Sequence, residues 1–336
     1  MRIAVDAMGG DHAPRAIVRG AQEGLRFLGA DDELVLYGPG DLVEAECRAV
    51  GLSDPRVRTV PCTQNIEMHE SPMEALRQKR DSGIMRMAVA AGQGEVDAVI
   101  SAGNTGAFAA ACQLKIGAIA GVSRPGIAVV MPTFYGPVLV CDVGANVAPK
   151  PHHLHEYACM CDGYARTVLG IARPRVGLVS IGEEDAKGNA LVKEARRLLK
   201  EDTTLHFVGN MEGRDVFAGL CDVFVCDGFT GNVVLKLTEG LAEGLFKTIV
   251  HEIEQESAEL AGRFAPIVDR IWKKHDFTEY GGAPLLGVNS VVIICHGRSD
   301  HRAISNAIRV AKDEHRVNLT QILSTQLKRS HREDAA

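Results

Sequence analysis

Short apolar runs rich in valine and isoleucine recur along the chain, at Ile3–Val5, Leu34–Leu36, Ala98–Ile100, Ile127–Val130, Val138–Val140, Val176–Val179, Val223–Val225 and Val291–Ile294. Runs that are apolar at every position suit strands covered on both faces. Between most of them the apolar residues fall at helical spacing, as over Ala13–Leu28, Gly106–Ile116, Leu154–Val168 and Ala190–Leu199. Strand and helix in alternation predict an α/β protein with a mainly parallel sheet and helices on both sides. One region breaks the pattern. From Thr230 to Lys274 the spacing is helical throughout, with Leu237, Leu241, Leu245, Ile249 and Ile253 four residues apart. Pro266 is expected to mark a break and open a second helix, since proline is tolerated in a first turn. The predicted organisation is a single α/β domain over residues 1–327, a helical hairpin inserted at about 230–275, and a polar tail over 328–336.

Composition narrows the classes of function. A formal net charge of -6 argues against a general nucleic-acid binder, which needs a dominant basic face to displace counterions from phosphates. The nine cysteines include no Cys-x-x-Cys pair, and Cys159 and Cys161 are too close for the usual zinc spacing, so they read as reduced, mostly buried thiols. His152, His153 and His155 read as a solvated helix start, not as metal ligands. Met1-Arg2-Ile3-Ala4-Val5 enters a strand at once, leaving no room for a leader, and no segment reaches the roughly 20 apolar residues of a membrane span. A cytoplasmic location is expected.

Small polar residues cluster where strands give way to helices. The clusters are Asp6-Ala7-Met8-Gly9-Gly10-Asp11-His12, Ser101-Ala102-Gly103-Asn104-Thr105-Gly106, Asp142-Val143-Gly144-Ala145-Asn146, Gly182-Glu183-Glu184-Asp185-Ala186-Lys187-Gly188-Asn189 and Asp227-Gly228-Phe229-Thr230-Gly231-Asn232. In a parallel sheet all five fall on the carboxyl edge and are expected to share one rim. Glycine lets backbone N–H groups approach an anion, hydroxyl and amide side chains add donors, and the following helix presents its positive end. Such a rim suits phosphate. Plainer readings stand beside this one: a tight turn for Met8-Gly9-Gly10, an N-cap for one residue of the Ser101 loop and for Asn232, and a solvated helix start for Lys187. Neither a P-loop nor a Gly-x-Gly-x-x-Gly fingerprint is present, so a nucleotide cofactor has no support, and phosphate becomes a candidate reactant in itself. In the second half of the hairpin Phe264, Ile267, Val268, Ile271 and Trp272 share a face flanked by Arg263, Arg270, Lys273 and Lys274. That pattern fits an anionic membrane surface, an acidic protein partner, or a dimer or core contact.

Five segments in order, Ala4-Val5-Asp6-Ala7-Met8-Gly9-Gly10-Asp11, Ser101 to Ala107, Asp142 to Asn146, Asp227 to Asn232 and Tyr280-Gly281-Gly282-Ala283-Pro284-Leu285-Leu286-Gly287, carry a wider likeness. With them the chain resembles, from residue 1 to about 310, the bacterial phosphate acyltransferase family, the acyl-ACP:phosphate transacylases of phospholipid synthesis. It departs from the pattern at Ser290, where a glycine is expected after Gly287-Val288-Asn289. The resemblance implies an open three-layer α/β/α fold similar to the isocitrate and isopropylmalate dehydrogenases and to phosphotransacetylase. It further implies a homodimer without metal or cofactor, and transfer of a fatty acyl group from acyl carrier protein to inorganic phosphate. The acyl phosphate would feed phosphatidic acid synthesis, with the protein in reversible contact with the inner face of the cell membrane near the next acyltransferase.

The resemblance also assigns roles to residues. Lys187 and Asn232 match the family's catalytic pair. Gly9, Gly10, Ser101, Asn104, Thr105, Asp142, Asn146, Asp227 and Thr230 are the candidates for phosphate or substrate binding. Arg263, Arg270, Lys273 and Lys274 are the candidates for meeting the acidic carrier protein or the membrane. Two rival readings remain. A dehydrogenase of similar fold would need a nucleotide site, and a non-enzymatic lipid or acyl-carrier sensor would have no use for five polar loops.

Overall fold

The computed structural model describes residues 1–275 and 277–333, with side chains described except over 272–278 and from 329 onward. The chain begins with β1 (Arg2–Asp6), α1 (Arg15–Gly24), β2 (Glu33–Gly38), α2 (Gly40–Val50), β3 (Val57–Pro61), α3 (Pro72–Gln78) and α4 (Gly83–Gly92). Then come β4 (Ala98–Ser101), α5 (Thr105–Lys115), β5 (Gly126–Thr133), β6 (Gly136–Cys141), α6 (Pro151–Thr167) and β7 (Arg175–Val179). These are followed by α7 (Ala190–Glu201), β8 (His206–Met211), β9 (Val223–Val225), α8 (Gly228–Glu256) and α9 (Ala258–His275). Last are β10 (Ala283–Leu286), β11 (Val291–Ile294), α10 (His301–Arg316) and α11 (Leu319–Glu333).

The strands form one sheet in the order β3-β2-β1-β4-β11-β10-β5-β6-β9-β7-β8. Each apolar run found in the sequence is one of these strands, and their alternating side chains feed layers on both faces. Ile3, Val5, Ile100 and Ile293 pack against Ile17, Val18 and Ala21 of α1 and against Ile304 and Ile308 of α10. Leu139, Val176, Leu178 and Val223 pack in the same way against α6, α7 and α11 through Tyr157, Leu199 and Leu323. On the opposite face Val99, Val292, Met131, Val140 and Phe224 meet Met87 of α4 and Phe108, Ala111 and Cys112 of α5. Burying each such side chain contributes on the order of 1.5–3 kcal/mol, so the two-sided core is what holds the layers together.

Pairing is mainly parallel, but β10 runs antiparallel to both β11 and β5, and β5 runs antiparallel to β6. The second half of the sheet, β6, β9, β7 and β8, therefore points opposite to β1, β2, β3, β4 and β11. This corrects the expectation of one shared rim. The loops after β1 and β4 lie at one edge of the sheet, and those after β6, β7 and β9 face the other way.

The predicted hairpin is present as α8 and α9, but its break is at Ser257, not at Pro266, which lies inside α9. Ser257 is extended, at φ -167° and ψ 148°, and its hydroxyl accepts from Leu260 N at 3.1 Å. A serine N-cap followed by Glu259 outweighs proline as a start signal, because it satisfies amides that a proline merely does without. No helix among the described residues is long and apolar enough to cross a membrane. Ser290, where a glycine was expected, donates its hydroxyl to the Asp97 carbonyl at 3.0 Å and so ties the start of β11 to the start of β4.

Candidate active site

The first group of loops is built around Asp6, at the end of β1. Its carboxylate, 2 % exposed, accepts from the Ser101 hydroxyl at 2.8 Å and from Met8 N at 3.2 Å. Burial pushes it up to about 6, and those two hydrogen bonds pull the other way. Ser101 Oγ in turn accepts from Gly103 N at 3.0 Å. Gly9 lies so close to this turn that a Cβ there would come 2.7 Å from Gly103 N, while Gly10 sits at φ +97° against the Gly297 carbonyl. Asn104 is the N-cap of α5: its Oδ1 accepts from Ala107 N at 3.0 Å, and its Nδ2 donates to the carbonyls of Glu67, Met68 and Glu70. Ser101 and Asn104, proposed from sequence as phosphate donors, thus hold the protein's own turns. Thr105 and Gly106, next along, are exposed at the positive end of α5.

The second group is built around Asp142, which is fully buried. Its Oδ1 accepts from the backbone N–H of Ile127, Gly144 and Ala145 at 3.2, 3.0 and 2.9 Å, and its Oδ2 from Asn146 N at 2.7 Å. Burial raises this carboxyl above the usual carboxylate range, opposed by those N–H groups. The amides expected to grip phosphate therefore already grip a carboxylate. Asn146, also buried, donates from Nδ2 to the Pro125 carbonyl at 2.7 Å and to the Tyr157 hydroxyl at 2.8 Å. Asp227 caps α8, accepting from Thr230 N at 2.9 Å and from the Thr230 hydroxyl at 2.7 Å. Gly228 N donates to the Asn146 carbonyl at 2.9 Å, and Gly231 abuts Asp142 so closely that a Cβ would overlap its carbonyl.

That packing leaves Asn232 exposed where the second turn of α8 begins, beside Gly144. Lys187 is exposed in the loop after β7, its aliphatic stem lying over Gly182. The strands that carry them, β9 and β7, are neighbours. The two groups of loops meet through α5. A pocket of about 100 Å³ is lined by Thr105, Gly106, Ala109, Ala110 and Gln113 of that helix and by Pro125, Ile127, Gly144, Ala145, Asn146 and Leu285. It joins a helix N-terminus and an exposed threonine to an apolar floor, which suits a small oxyanion next to a carbonyl carbon.

A larger cleft of about 930 Å³ lies between α8 and α9, floored by Phe246, Val250, Ile253, Phe264 and Val268 and bordered by His296, Arg298 and Arg302. Arg263 and Arg270 are exposed on α9, whereas the side chains of Lys273 and Lys274 fall outside those described. Of the histidines at the start of α6, His152 is exposed as expected, but His153 and His155 are not solvated. His153 is buried and its Nδ1 accepts from Lys150 N at 2.9 Å, while buried His155 hydrogen-bonds Asp202 at 2.7 Å. Capping and pairing bury them where the short sequence pattern suggested only polarity. His155, Cys159 and Asp202 make the one group among the described residues whose atoms would suit a metal ion, and the His155–Asp202 hydrogen bond already accounts for their closeness.

A family model described as fatty acid synthesis protein matches residues 1–321. A protein named phosphate acyltransferase from Halothermothrix orenii is 45% identical over 330 residues, spanning 97% of this chain and 98% of its own. Another of that name, from Desulfitobacterium hafniense, is 48% identical over 316 residues, covering 93% of each. Among solved structures, a phosphotransacetylase from Streptococcus pyogenes superposes with a TM-score of 0.64 over 94% of both chains at 18% identity, a likeness of fold.

Proposed function

The chain belongs to the fatty acid synthesis protein family, with phosphate acyltransferases as its relatives, and from that premise we propose how this enzyme moves an acyl group onto phosphate. Inorganic phosphate sits in the small pocket at the N-terminus of α5, against Thr105, Gly106 and Gly144. One of its oxygens attacks the carbonyl carbon of a thioester, the tetrahedral oxyanion collapses, the carbon–sulfur bond breaks, and the thiolate leaves and takes a proton. Acyl phosphate and free thiol are the products. The protein's work is positioning and charge stabilisation. Lys187 neutralises charge on phosphate or the oxyanion, and the Asn232 amide donates to the carbonyl oxygen.

The observation that carries this reading is the pocket itself. Of the polar residues proposed from sequence, those inside the loops are occupied by the fold, whereas Thr105, which lines the pocket, Asn232, beside its Gly144, and Lys187, in the loop after β7, are left exposed. The donor is acyl carrier protein, and its fatty chain runs along α8 into the apolar cleft. Fourteen residues separate Asn232 from Phe246, about 21 Å of helix, a span that suits a long acyl chain. The exposed stripe of α8, with Leu237, Leu241 and Leu245 at 68%, 66% and 56%, is the contact of a homodimer. Arg263 and Arg270, beside Phe264 and Ile267, meet the carrier protein or the inner membrane surface, so the enzyme works in the cytoplasm and partly at that surface.

The test is to incubate the protein with palmitoyl-ACP and phosphate and follow free thiol. Phosphate-dependent release is expected, and Lys187→Ala should reduce it by more than about 100-fold with an unchanged melting temperature. Near-normal turnover in that variant would remove Lys187 from the mechanism.

A further inference from the structure

Arg124 belongs to none of the loops that follow strands. Its side chain is exposed, and among the described residues no carboxylate pairs with it. Its Nη1 donates to Asn146 Oδ1 at 3.5 Å, a long contact that orients the guanidinium without neutralising it. The backbone on both sides is anchored. Ser123 donates its N–H and its hydroxyl to the two oxygens of buried Glu156 at 2.8 and 2.7 Å, and the Pro125 carbonyl accepts from Asn146 at 2.7 Å. A flexible cation has thus been set on a fixed stretch, which lowers the entropy lost when it binds an anion.

Its location follows from the antiparallel centre of the sheet. Ala128 lies opposite Cys141, so the segment entering β5 runs beside the segment leaving β6. Pro125, the next residue in the chain, and Asn146, whose Oδ1 meets the guanidinium, both line the small pocket. The other charged side chain assigned to the reaction, Lys187, comes from β7, on the far side of β6 and β9. Arg124 does not itself line the pocket, but it sets a positive charge against Asn146, which does, and reaches it from a different part of the sheet than Lys187.

We propose that Arg124 is a further anion-binding residue of this enzyme, its guanidinium fork engaging two oxygens of the reacting phosphate. Asn146 is then a positioning residue: its amide nitrogen is held by Pro125 and Tyr157, and its oxygen aims the fork. A bidentate arginine suits phosphate because five donors in one plane match its oxygens, which a lysine cannot reproduce. The assignment rests on the acyl-transfer reading above, and the test separates the two.

The experiment uses the full chain as wild type, Arg124→Lys and Arg124→Ala. It measures the phosphate and palmitoyl-ACP Michaelis constants of thiol release, and the rise in melting temperature given by inorganic phosphate over chloride at equal ionic strength. Arg124→Ala should raise the phosphate KM by about tenfold or more, leave the palmitoyl-ACP KM within about twofold, and lose the phosphate-induced stabilisation while melting normally in chloride. Arg124→Lys, keeping charge but not the fork, should fall between. A phosphate KM within about twofold of wild type in Arg124→Ala overturns the assignment and leaves the reaction standing. Absence of phosphate-dependent thiol release in the wild type removes both.

Discussion

Glu314 of α10 is buried against Tyr164, and burial pushes its carboxyl up to about 8, with the Tyr164 hydrogen bond opposing the rise. Asp6 is raised to about 6 for the same reason. A carboxyl with a raised folded-state value binds its proton more tightly folded than unfolded. Its contribution to stability is full below the ordinary carboxylate range and is lost as pH rises through the folded value. Melting temperature should therefore fall from about pH 4 to about pH 8 on account of these two groups. Glu314→Gln, neutral at every pH, should flatten the upper part of that fall and exceed wild type above pH 8 by roughly 2 °C or more. Parallel profiles for the two proteins would mean that Glu314 ionises without penalty. At this scale the sequence reveals types of residue and hides their partners. Ser101, Asn104, Asp142 and Asn146 were legible as polar residues in tight turns, but the same donors serve a bound phosphate or a neighbouring carbonyl equally well. Only the fold shows that Asn104 holds three backbone carbonyls and that Asp142 collects four backbone N–H groups.

Among the elements, the strands read directly from sequence are those buried on both faces, and the ones missed have physical reasons to be quiet. β3 and β8 are the two ends of the sheet, and their half-exposed residues, such as Arg58 and His206, interrupt the apolar signal. β10 is central but short, follows Gly281 and Gly282 at positive φ, and contains Pro284. Arg124 was overlooked for a related reason: it precedes a strand, and only the antiparallel pairing of β5 with β6 brings that end to the site. The contact between α8 and the Asp142 loop gives an element-scale prediction. Gly231→Ala would drive a methyl into the Asp142 carbonyl, tilt the first turn of α8 and carry Asn232 with it. We expect a loss of transfer on the order of 100-fold with destabilisation of about 1–3 kcal/mol. Gly240→Ala, nine residues further along the same helix and open on all sides, should stabilise the protein by about 0.5–1 kcal/mol and keep its activity. Equal effects at both positions would mean that the close approach at Gly231 does not set the position of Asn232.

For the whole molecule, the hairpin and the two-sided sheet were legible in the spacing of apolar residues, whereas the reversal at the centre of the sheet was not. Nothing in a short apolar run records which way its strand points. The exposed leucines of α8 predict an assembly. Burying each contributes on the order of 1.5–3 kcal/mol, so Leu241→Asp combined with Leu245→Asp should weaken self-association by about 100-fold or more. Sedimentation velocity at micromolar concentration should then give a monomer from the variant and a dimer from the wild type, and an unchanged coefficient would free that stripe for another partner. The reversed centre has a consequence in time as well as in space. β4 is finished by residue 101 and β5 by residue 133, yet the two strands that join them, β10 and β11, span residues 283–294. A ribosome releasing this chain delivers both halves of the sheet long before the pieces that unite them. Each half must wait with an open edge, and closing the gap brings together residues nearly two hundred positions apart, as when Ser290 reaches Asp97. Such late, distant pairing makes for slow completion, and it is during that interval that the newborn chain is most exposed to pairing with a neighbour.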